Sequence, residues 1–216
     1  DAFLADGKGD RKNMDLPASH IAYIKALRKG TKSPLIAVVT GGSAVDISAI
    51  EPYVDAIVFA WYPGEQGGTA LANLLFGKVS PSGHLPVSFY KSFSDLPDYN
   101  SYAMAGRTYR YSDKEVQYPF GFGLSYTRFA YDNIALSASR LGADETLTVS
   151  FDLTNCGEYA GKEIVQLYVS APKGELIREV QSLKAFSKVA LAAGESRRVS
   201  LQLPIAELAC YHPGLG

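Results

Sequence analysis

The alternation of hydrophobic and polar residues changes character once along this chain, near residues 125–129. Before that point, short apolar runs alternate with stretches of helical spacing, and after it apolar residues recur at every second position. The first pattern is typical of a parallel sheet flanked by helices, and the second of antiparallel strands. The pattern therefore predicts an α/β part, residues 1–125, followed by an all-β part, residues 126–216.

Two apolar runs, at 34–40 and 56–60, organise the α/β part. Both are short and continuously apolar, which is typical of parallel strands buried on both faces. The second run leads into a glycine-rich turn and then into a helix at 69–76 that Gly77 ends. The other predicted elements are a helix from Pro17 to Lys29, a short helix from Asp46 to Tyr53 and an edge strand from Leu85 to Phe89.

The segment from Lys91 to Tyr126 is rich in proline, aspartate, tyrosine and glycine, and it reads as a long irregular crossing between the two parts. We expect one extended piece within it, Thr108–Tyr111. Arg107 and Arg110 lie on either side of Tyr109, and we expect both to suit a carboxylate of the other part. The tyrosines of the crossing either pack against both parts or form a platform for sugar rings: Tyr99, Tyr102, Tyr109, Tyr111 and Tyr118.

Period-two alternation marks the all-β part at 147–153 and 199–203, with a further strand at 164–169. Several short strands without helices predict an antiparallel β-sandwich. The chain ends where a sandwich of this size would still need a closing strand. We therefore expect an incomplete sandwich, and a chain that is a piece of a longer protein.

The carboxyl end of the second apolar run holds Trp61, Glu65 and Gln66. Ligands collect at the carboxyl ends of parallel strands, and an aromatic face beside a carboxylate and an amide is able to hold a sugar ring. The alternative is that Trp61 packs in the core and that the glycines only let helix and sheet approach each other.

The composition of the chain argues against several classes of function. The chain has 216 residues, of which 47% are hydrophobic, and its formal net charge of −1 gives no case for binding nucleic acid or an anionic membrane. It contains no apolar run long enough to span a membrane. The histidines and cysteines show no metal-ligand spacing, so we predict neither a metal nor a cofactor. Cys156 and Cys210 could pair or stay free.

Two further motifs give only weak evidence for a function. Thr40-Gly41-Gly42-Ser43 follows a strand and could cradle a phosphate, but it lacks the full dinucleotide fingerprint and a phosphate-binding lysine. Ser43 with His84 could be drawn as part of a hydrolase triad, yet the Gly-x-Ser-x-Gly turn that presents such a serine is missing.

Long motifs in this chain resemble the C-terminal half of glycoside hydrolase family 3. They are GDRKNMDLP, YPGEQGGTALANLLFGKVSPSGHLPVSFY, GRTYRY, YPFGFGLSYTRF and GKEIVQLYVSA. The resemblance covers essentially the whole chain. It implies the end of the family's α/β sandwich domain followed by a fibronectin type III-like domain, and an enzyme that removes β-linked glucose, xylose or related sugars with retention of configuration.

A retaining mechanism needs two carboxyl groups roughly 5 Å apart, a nucleophile and an acid/base. In the family, the nucleophile is an aspartate on an N-terminal barrel that this chain does not contain, and the acid/base is a glutamate in the loop ahead of the GDR-like segment. Residues 3–11 hold no glutamate. Either the glutamate precedes Asp1, or Asp6 fills its role with a shorter reach, or the alignment is misplaced.

The adjacent Arg11 cation would keep Asp10 ionised, so Asp10 is a poor proton donor. We expect it to hold the loop in place instead. Together with Trp61, Glu65 and Gln66, these two residues are our candidates for the substrate rim. The chain alone is expected to be inactive. The competing hypothesis is a stand-alone, non-catalytic carbohydrate-binding or structural module. By resemblance, we expect a β-glycoside substrate, the barrel of the same protein as partner, and a periplasmic or extracellular location.

Overall fold

A computed structural model describes residues 13–98, 100–172, 174 and 178–211 of this chain. It has the α/β part followed by an all-β part that the sequence predicts. Its elements in order are helix α1 (Ala18–Gly30), strands β1 (Ile36–Thr40) and β2 (Ala56–Trp61), helices α2 (Gly67–Leu75) and α3 (Thr108–Tyr111), and strands β3 (Phe129–Leu136), β4 (Thr146–Asn155), β5 (Gly161–Val169), β6 (Ser182–Leu191) and β7 (Ser196–Pro204). Single turns of 3-10 helix lie at Glu51–Tyr53, Phe93–Asp95 and Ile205–Leu208.

Strands β1 and β2 pair in parallel, as predicted, and α1 covers one face of the pair. The core beneath α1 is formed by buried aliphatic side chains on β1 and on the loop that follows it: Val39, Val45, Ile47 and Ile50. The predicted burial of both strand faces is wrong for β1 within the described residues. Ile36 and Val38 of β1 keep 46% and 39% of their surface exposed, because they alternate with Val39 and so lie on the face of the pair away from α1.

The short helix predicted at Asp46–Tyr53 is wrong for most of its length, since only Glu51–Tyr53 is helical and as a 3-10 turn. The Asp46 side chain accepts a hydrogen bond from the Ser48 backbone N–H at 2.9 Å, which competes with an α-helical start. Val45 and Ile47 are β-branched and are drawn into the core from a non-helical backbone.

Helix α2 ends where the sequence predicts, with Gly77 at a φ of 70° that favours glycine. The edge strand predicted at Leu85–Phe89 is wrong as a strand. Leu85 N–H donates to the Phe122 carbonyl at 2.8 Å and Phe89 N–H to the Tyr118 carbonyl at 2.8 Å, but only Phe89 forms a β-bridge. Pro86, which has no N–H, lies between these two bonds and prevents a regular ladder.

The extended piece predicted at Thr108–Tyr111 is also wrong, because these residues form the helical turn α3. The Tyr111 and Ser112 N–H groups donate to the Arg107 and Thr108 carbonyls at 3.2 and 3.0 Å. Tertiary packing selects this conformation, since the Tyr109 ring stacks on Phe120 with centroids 4.0 Å apart.

Five strands in two antiparallel sheets form the described all-β part, with β3-β4-β7 in one sheet and β5-β6 in the other. Their facing sides pack together through apolar side chains of four strands, β4 to β7: Phe151, Leu153, Val165, Val189, Leu191, Val199 and Leu201. The sequence predicts β4, β5 and β7 but neither β3 nor β6. Strand β3 lies at a sheet edge and is mostly exposed, so its residues do not alternate. Cys156 and Cys210 are both exposed and unpaired.

Candidate functional site

The carboxyl ends of β1 and β2 form the edge at which the sequence places a ligand. The two chain exits are tied together, because Gly41 N–H donates to the Trp61 carbonyl at 3.3 Å. The pairing shifts by one residue between Val39 and Thr40, so that Thr40 lies opposite Trp61. Trp61 adopts a φ of 51°, a left-handed conformation that is uncommon outside glycine. Such backbone strain gathers at functional sites, and here it turns the chain from the strand into the loop.

The Trp61 ring belongs to an aromatic cluster. It meets Phe59 edge-to-face with centroids 4.6 Å apart, and Phe89 at 6.4 Å with nearly perpendicular planes. Phe89 is fully buried, so the inner side of the cluster is core. The Trp61 side chain itself is half-buried. It therefore packs against the core as one of the two interpretations predicts, while the part of the ring that stays accessible leaves sugar binding a prediction.

Glu65 and Gln66 lie in the turn between β2 and α2, and both are exposed. The turn is held by a bond of 3.1 Å from Gly67 N–H to the Gly64 carbonyl, with Gly64 at a φ of 68°. Gly67 is buried against Pro63, whose ring leaves no room for a β-carbon. Neither the Glu65 nor the Gln66 side chain bonds another described residue, so both are free to reach a ligand hydroxyl.

Tyr62 is a candidate site residue that sequence reasoning missed. Its side chain is 80% exposed, and its ring lies on Gly42, where an added β-carbon would be 2.7 Å from Tyr62 Cε2. The ring thus sits over the loop after β1 while its outer face meets solvent. The sequence did contain a signal for this contact. Gly41-Gly42 follows β1 and Tyr62 follows β2, and the carboxyl ends of paired parallel strands lie side by side.

The phosphate hypothesis for Thr40–Ser43 finds no support. No helix begins after this loop, so the partial positive charge of a helix N-terminus that phosphate sites exploit is missing from it. Ser43 and His84 form no hydrogen bond with each other, so the described residues do not assemble a triad from them. Nor do they place three or more His, Cys, Asp or Glu side chains where they could hold a metal ion.

Asp6, Asp10 and Arg11 lie outside the described residues. The nearest described segment, Asn13–Asp15, runs beside the loop after β1, because Asp46 N–H donates to the Met14 carbonyl at 2.7 Å and Asp15 forms a parallel bridge with Asp46.

The arginines of the crossing have different partners. Arg110 pairs with Glu179 of the all-β part at 2.6 Å, which is the interdomain carboxylate that the sequence predicts for both arginines. For Arg107 the prediction is wrong: its guanidinium donates to the Asp98 and Ala103 carbonyls at 2.8 Å, because the helical turn of α3 separates the two side chains. A backbone N–H bond and the Arg110 charge lower the pKa of Glu179.

Of the four described tyrosines in the series, Tyr109 and Tyr118 pack, Tyr111 has the Arg110 guanidinium 5.9 Å from its ring centroid, and Tyr102 does not pack. Tyr109 stacks on Phe120 and its hydroxyl accepts from Leu183 N–H at 3.1 Å, so it joins the crossing to β6. The Tyr118 hydroxyl donates to Glu51; burial, together with that carboxylate, raises the pKa of Tyr118 to about 12. Tyr102 is 98% exposed, and Tyr99 lies outside the described residues. A continuous tyrosine platform is not formed by the described members of the series.

Comparison with known families supports the motif-based resemblance. Residues 2–126 match the family model described as Glycosyl hydrolase family 3 C-terminal domain, and residues 163–216 match that of a Fibronectin type III-like domain. None of the helices in the described ranges is long and apolar enough to cross a membrane.

Named relatives are glycosidases. The chain is 41% identical over 198 residues to a xylan 1,4-beta-xylosidase of Xylanibacter ruminicola, covering 90% of this chain and 22% of the relative. It is 36% identical over 217 residues to a periplasmic beta-glucosidase of Salmonella typhimurium, covering 95% and 28%. The chain thus spans only about a quarter of the length of these relatives.

Solved structures agree in fold. Beta-glucosidase 3B from Thermotoga neapolitana superposes with a TM-score of 0.84 at 32% identity, over 94% of this chain and 31% of that one. A beta-D-glucoside glucohydrolase from Trichoderma reesei superposes with a TM-score of 0.83 at 27% identity, over 95% and 33%.

Proposed function

This chain belongs to glycosyl hydrolase family 3, and from that premise we propose that it forms the C-terminal part of a retaining, exo-acting β-glycosidase that acts on β-glucosides or β-xylosides in carbohydrate catabolism. The observation that carries the proposal is the family match over residues 2–126, which includes the whole candidate edge. Relatives named as β-xylosidase and β-glucosidase at comparable identity support both sugars equally.

The division of labour follows from retaining chemistry, which needs a nucleophile and an acid/base on opposite sides of one bond. We assign the nucleophile to the barrel domain of the same protein and the rim of the sugar site to this chain. We divide the chain into residues 1–125, the α/β sandwich domain with its crossing, and residues 126–216, the fibronectin type III-like domain.

The rim would be formed by the edge after β1 and β2. The exposed ring of Tyr62 and the accessible side of Trp61 offer apolar faces to the C–H face of a sugar, while Glu65 accepts and Gln66 exchanges hydrogen bonds with hydroxyls. Asp10 and Arg11 remain candidates for the same rim, and Asp6 remains the candidate acid/base within this sequence.

A periplasmic or extracellular location is the compartment that we propose, because polymer-derived sugars are met outside the cytoplasm. The support is a relative whose name places it in the periplasm.

The test uses the complete gene product beside the 216-residue chain. We expect the complete protein to release nitrophenol from nitrophenyl β-glucoside or β-xyloside with retention of configuration by NMR, and the chain alone to release none. Hydrolysis by the chain alone would contradict the division of labour. A complete protein that binds sugars without cleaving either substrate would point to the carbohydrate-binding module instead.

The rim is tested by Glu65→Gln in the complete protein. Loss of a charged hydrogen bond to a hydroxyl should raise KM about tenfold with little change in kcat, because the contact is made equally in ground and transition states. Glu158→Gln is the matched control, since Glu158 is an exposed glutamate in the turn after β4. An unchanged KM in Glu65→Gln would remove Glu65 from the rim.

A further inference from the structure

Helix α2 (Gly67–Leu75) carries no charged side chain. From position 66 to position 77 the sequence reads QGGTALANLLFG, and the nearest charges are Glu65 before this stretch and Lys78 after it. A helix on the surface of a soluble protein normally has a charged or polar outer face, whereas a helix that is apolar on nearly all sides is normally buried. The sequence of α2 therefore predicts burial on more than one side.

The described part of the chain does not bury this helix. Within α2 only Gly67 is buried, while Leu71 and Leu74 are half-buried and Leu75 is exposed. Phe76, which directly follows the helix, keeps 82% of its surface exposed. The described residues thus leave the last apolar side chains of α2 without cover.

Two more apolar side chains lie at this end of α2. Val79 returns to the helix, because its N–H donates to the Asn73 carbonyl at 3.2 Å. Tyr126 reaches the same turn, since its hydroxyl donates to the Leu74 carbonyl at 2.9 Å. Val79 is 52% exposed and Tyr126 is 47% exposed. We call the four exposed residues around the end of the helix the α2 patch: Leu75, Phe76, Val79 and Tyr126.

The composition of the α2 patch is that of a permanent protein interface. Single exposed apolar residues are normal, but adjacent ones without charges mark an interaction site. Aromatic side chains are enriched and charges depleted at the core of protein interfaces, and interfaces that stay permanently closed are the most apolar. A sugar fits the patch poorly, because the Tyr126 hydroxyl already donates to a backbone carbonyl and the other three side chains have no hydrogen-bonding group.

We propose that the α2 patch is the surface against which the rest of the same polypeptide, the part that carries the barrel, packs. This inference rests on the proposed function, which assigns the nucleophile to a barrel domain of the same protein. The chain spans about a quarter of the length of the relatives named above, so the polypeptide outside it is large enough to cover the patch.

The position of α2 supports this occupant over a second copy of the chain. The helix begins directly after the turn that holds Glu65 and Gln66, two candidates for the rim. A helix of nine residues is about 14 Å long, so its two ends are closer together than the diameter of a small domain, about 30 Å. In a retaining site two carboxyl groups flank one glycosidic bond, so the barrel has to approach the rim closely. A barrel that meets the rim can therefore extend to the α2 patch, whereas nothing requires a second copy to approach the rim.

The experiment places the photoreactive analogue benzoylphenylalanine in the complete gene product in place of Phe76. We expect irradiation to crosslink position 76 within one polypeptide, and mass spectrometry to map the second end of the crosslink outside the 216 residues of this chain. The same analogue in place of Glu158, an exposed residue in the turn after β4, is the control and should give no such crosslink.

Four outcomes of the crosslinking would overturn the proposal. Crosslinked dimers would identify a second copy as the occupant. A crosslink that stays within the 216 residues would show that the chain covers its own patch. The absence of any crosslink, or equal crosslinking from positions 76 and 158, would show that no partner lies on the patch.

Chemical accessibility gives a second measurement without the bulky analogue. The background is the complete gene product with Cys156→Ser and Cys210→Ser, because both thiols are exposed. In it, Phe76→Cys should react with a maleimide about tenfold more slowly than Glu158→Cys, since burial keeps the reagent from the thiol. Mass spectrometry of the two labelled peptides follows the reaction, and the two rates should become equal in denaturant. Equal rates in the native protein would contradict burial of position 76.

Both measurements are independent of hydrolysis. An active enzyme that leaves position 76 accessible would overturn this inference and leave the proposed function standing. An inactive protein that forms the crosslink within one polypeptide would support this inference and contradict the proposed function.

Discussion

The Asn155 side chain, with 0% of its surface exposed, closes the end of β4 through a complete set of hydrogen bonds. Its Oδ1 atom accepts from the Thr127 hydroxyl and from Gly157 N–H at 3.1 Å. Its Nδ2 group donates to the Tyr159 carbonyl at 2.8 Å and to the Leu191 carbonyl at 3.3 Å. An amide has two donors and two acceptor positions, so all four are used.

Asn155→Ala removes these four bonds at once. Gly157 and Tyr159 are accessible enough for water to replace the lost partner, but Thr127 and Leu191 are buried. Leaving a buried polar group without a partner costs about 1–3 kcal/mol, so two such groups predict a loss of about 2–6 kcal/mol. That is a large share of the stability of an ordinary domain.

Amide hydrogen exchange of peptides covering β4, measured in the complete gene product, reports this loss as a lower free energy of opening. Asn100→Ala is the control, because Asn100 is exposed and its side chain bonds no described residue. A loss below about 1 kcal/mol in Asn155→Ala would refute the reasoning that the network is both buried and satisfied.

Asn155→Asp tests the same network through the pH dependence of stability. A carboxylate there would face the Tyr159 and Leu191 carbonyl oxygens, and burial disfavours its charged form, so we expect the pKa of the introduced acid to be raised in the folded state. An acid with a raised folded pKa is tolerated below its unfolded pKa of about 3.9 and destabilises progressively as the pH rises through the folded value. Opening of β4, corrected for intrinsic exchange rates, should therefore be easier at pH 7 than at pH 5. Equal opening at both would contradict it.

Two further predictions concern the junction between the two parts. Glu179→Gln removes the ion pair with Arg110 and should cost about 1 kcal/mol at pH 7 in hydrogen exchange of β6. Since the folded pKa of Glu179 is lowered, the wild-type advantage should be complete above its ordinary value of 4.5 and disappear as the pH falls through the lower folded value; an advantage that persists in acid would argue against the pair. Gly121→Ala should cost about 1–3 kcal/mol by the same measurement, because Gly121 has a φ of 80° and an added β-carbon would lie 2.3 Å from Gln166 Oε1. Gly68→Ala is the control, because an added β-carbon there meets no atom within 4 Å. Equal effects of the two substitutions would show that Gln166 moves aside without a measurable cost.

Hydrophobic periodicity by itself determined the elements whose core-facing residues repeat regularly. Short-range spacing predicts helix α1 with Pro17 before it and the end of α2 at Gly77. It also predicts the parallel pair β1 and β2 and the alternating strands β4 and β7. The motifs were long enough to indicate the family, and they placed Trp61, Glu65 and Gln66 at the carboxyl edge of the sheet. Each of these conclusions depends on the order and spacing of residues along the chain, not on which residues meet in space.

The tertiary structure decided everything that depends on partners distant in sequence. Thr108–Tyr111 became helical because Tyr109 stacks on Phe120, and Arg110 was separated from Arg107 to meet Glu179. Tyr62 becomes a candidate for the proposed rim only because paired strand ends bring its ring over Gly42.

No local sequence pattern predicts the crevice of about 290 Å³ between the turn after α2 and strands β3 and β5. Local pattern records which face of an element is apolar, whereas the choice of neighbour depends on packing that brings together residues far apart in the chain. The lining residues of the crevice come from stretches near positions 82, 124, 128 and 162, and only folding brings these stretches together.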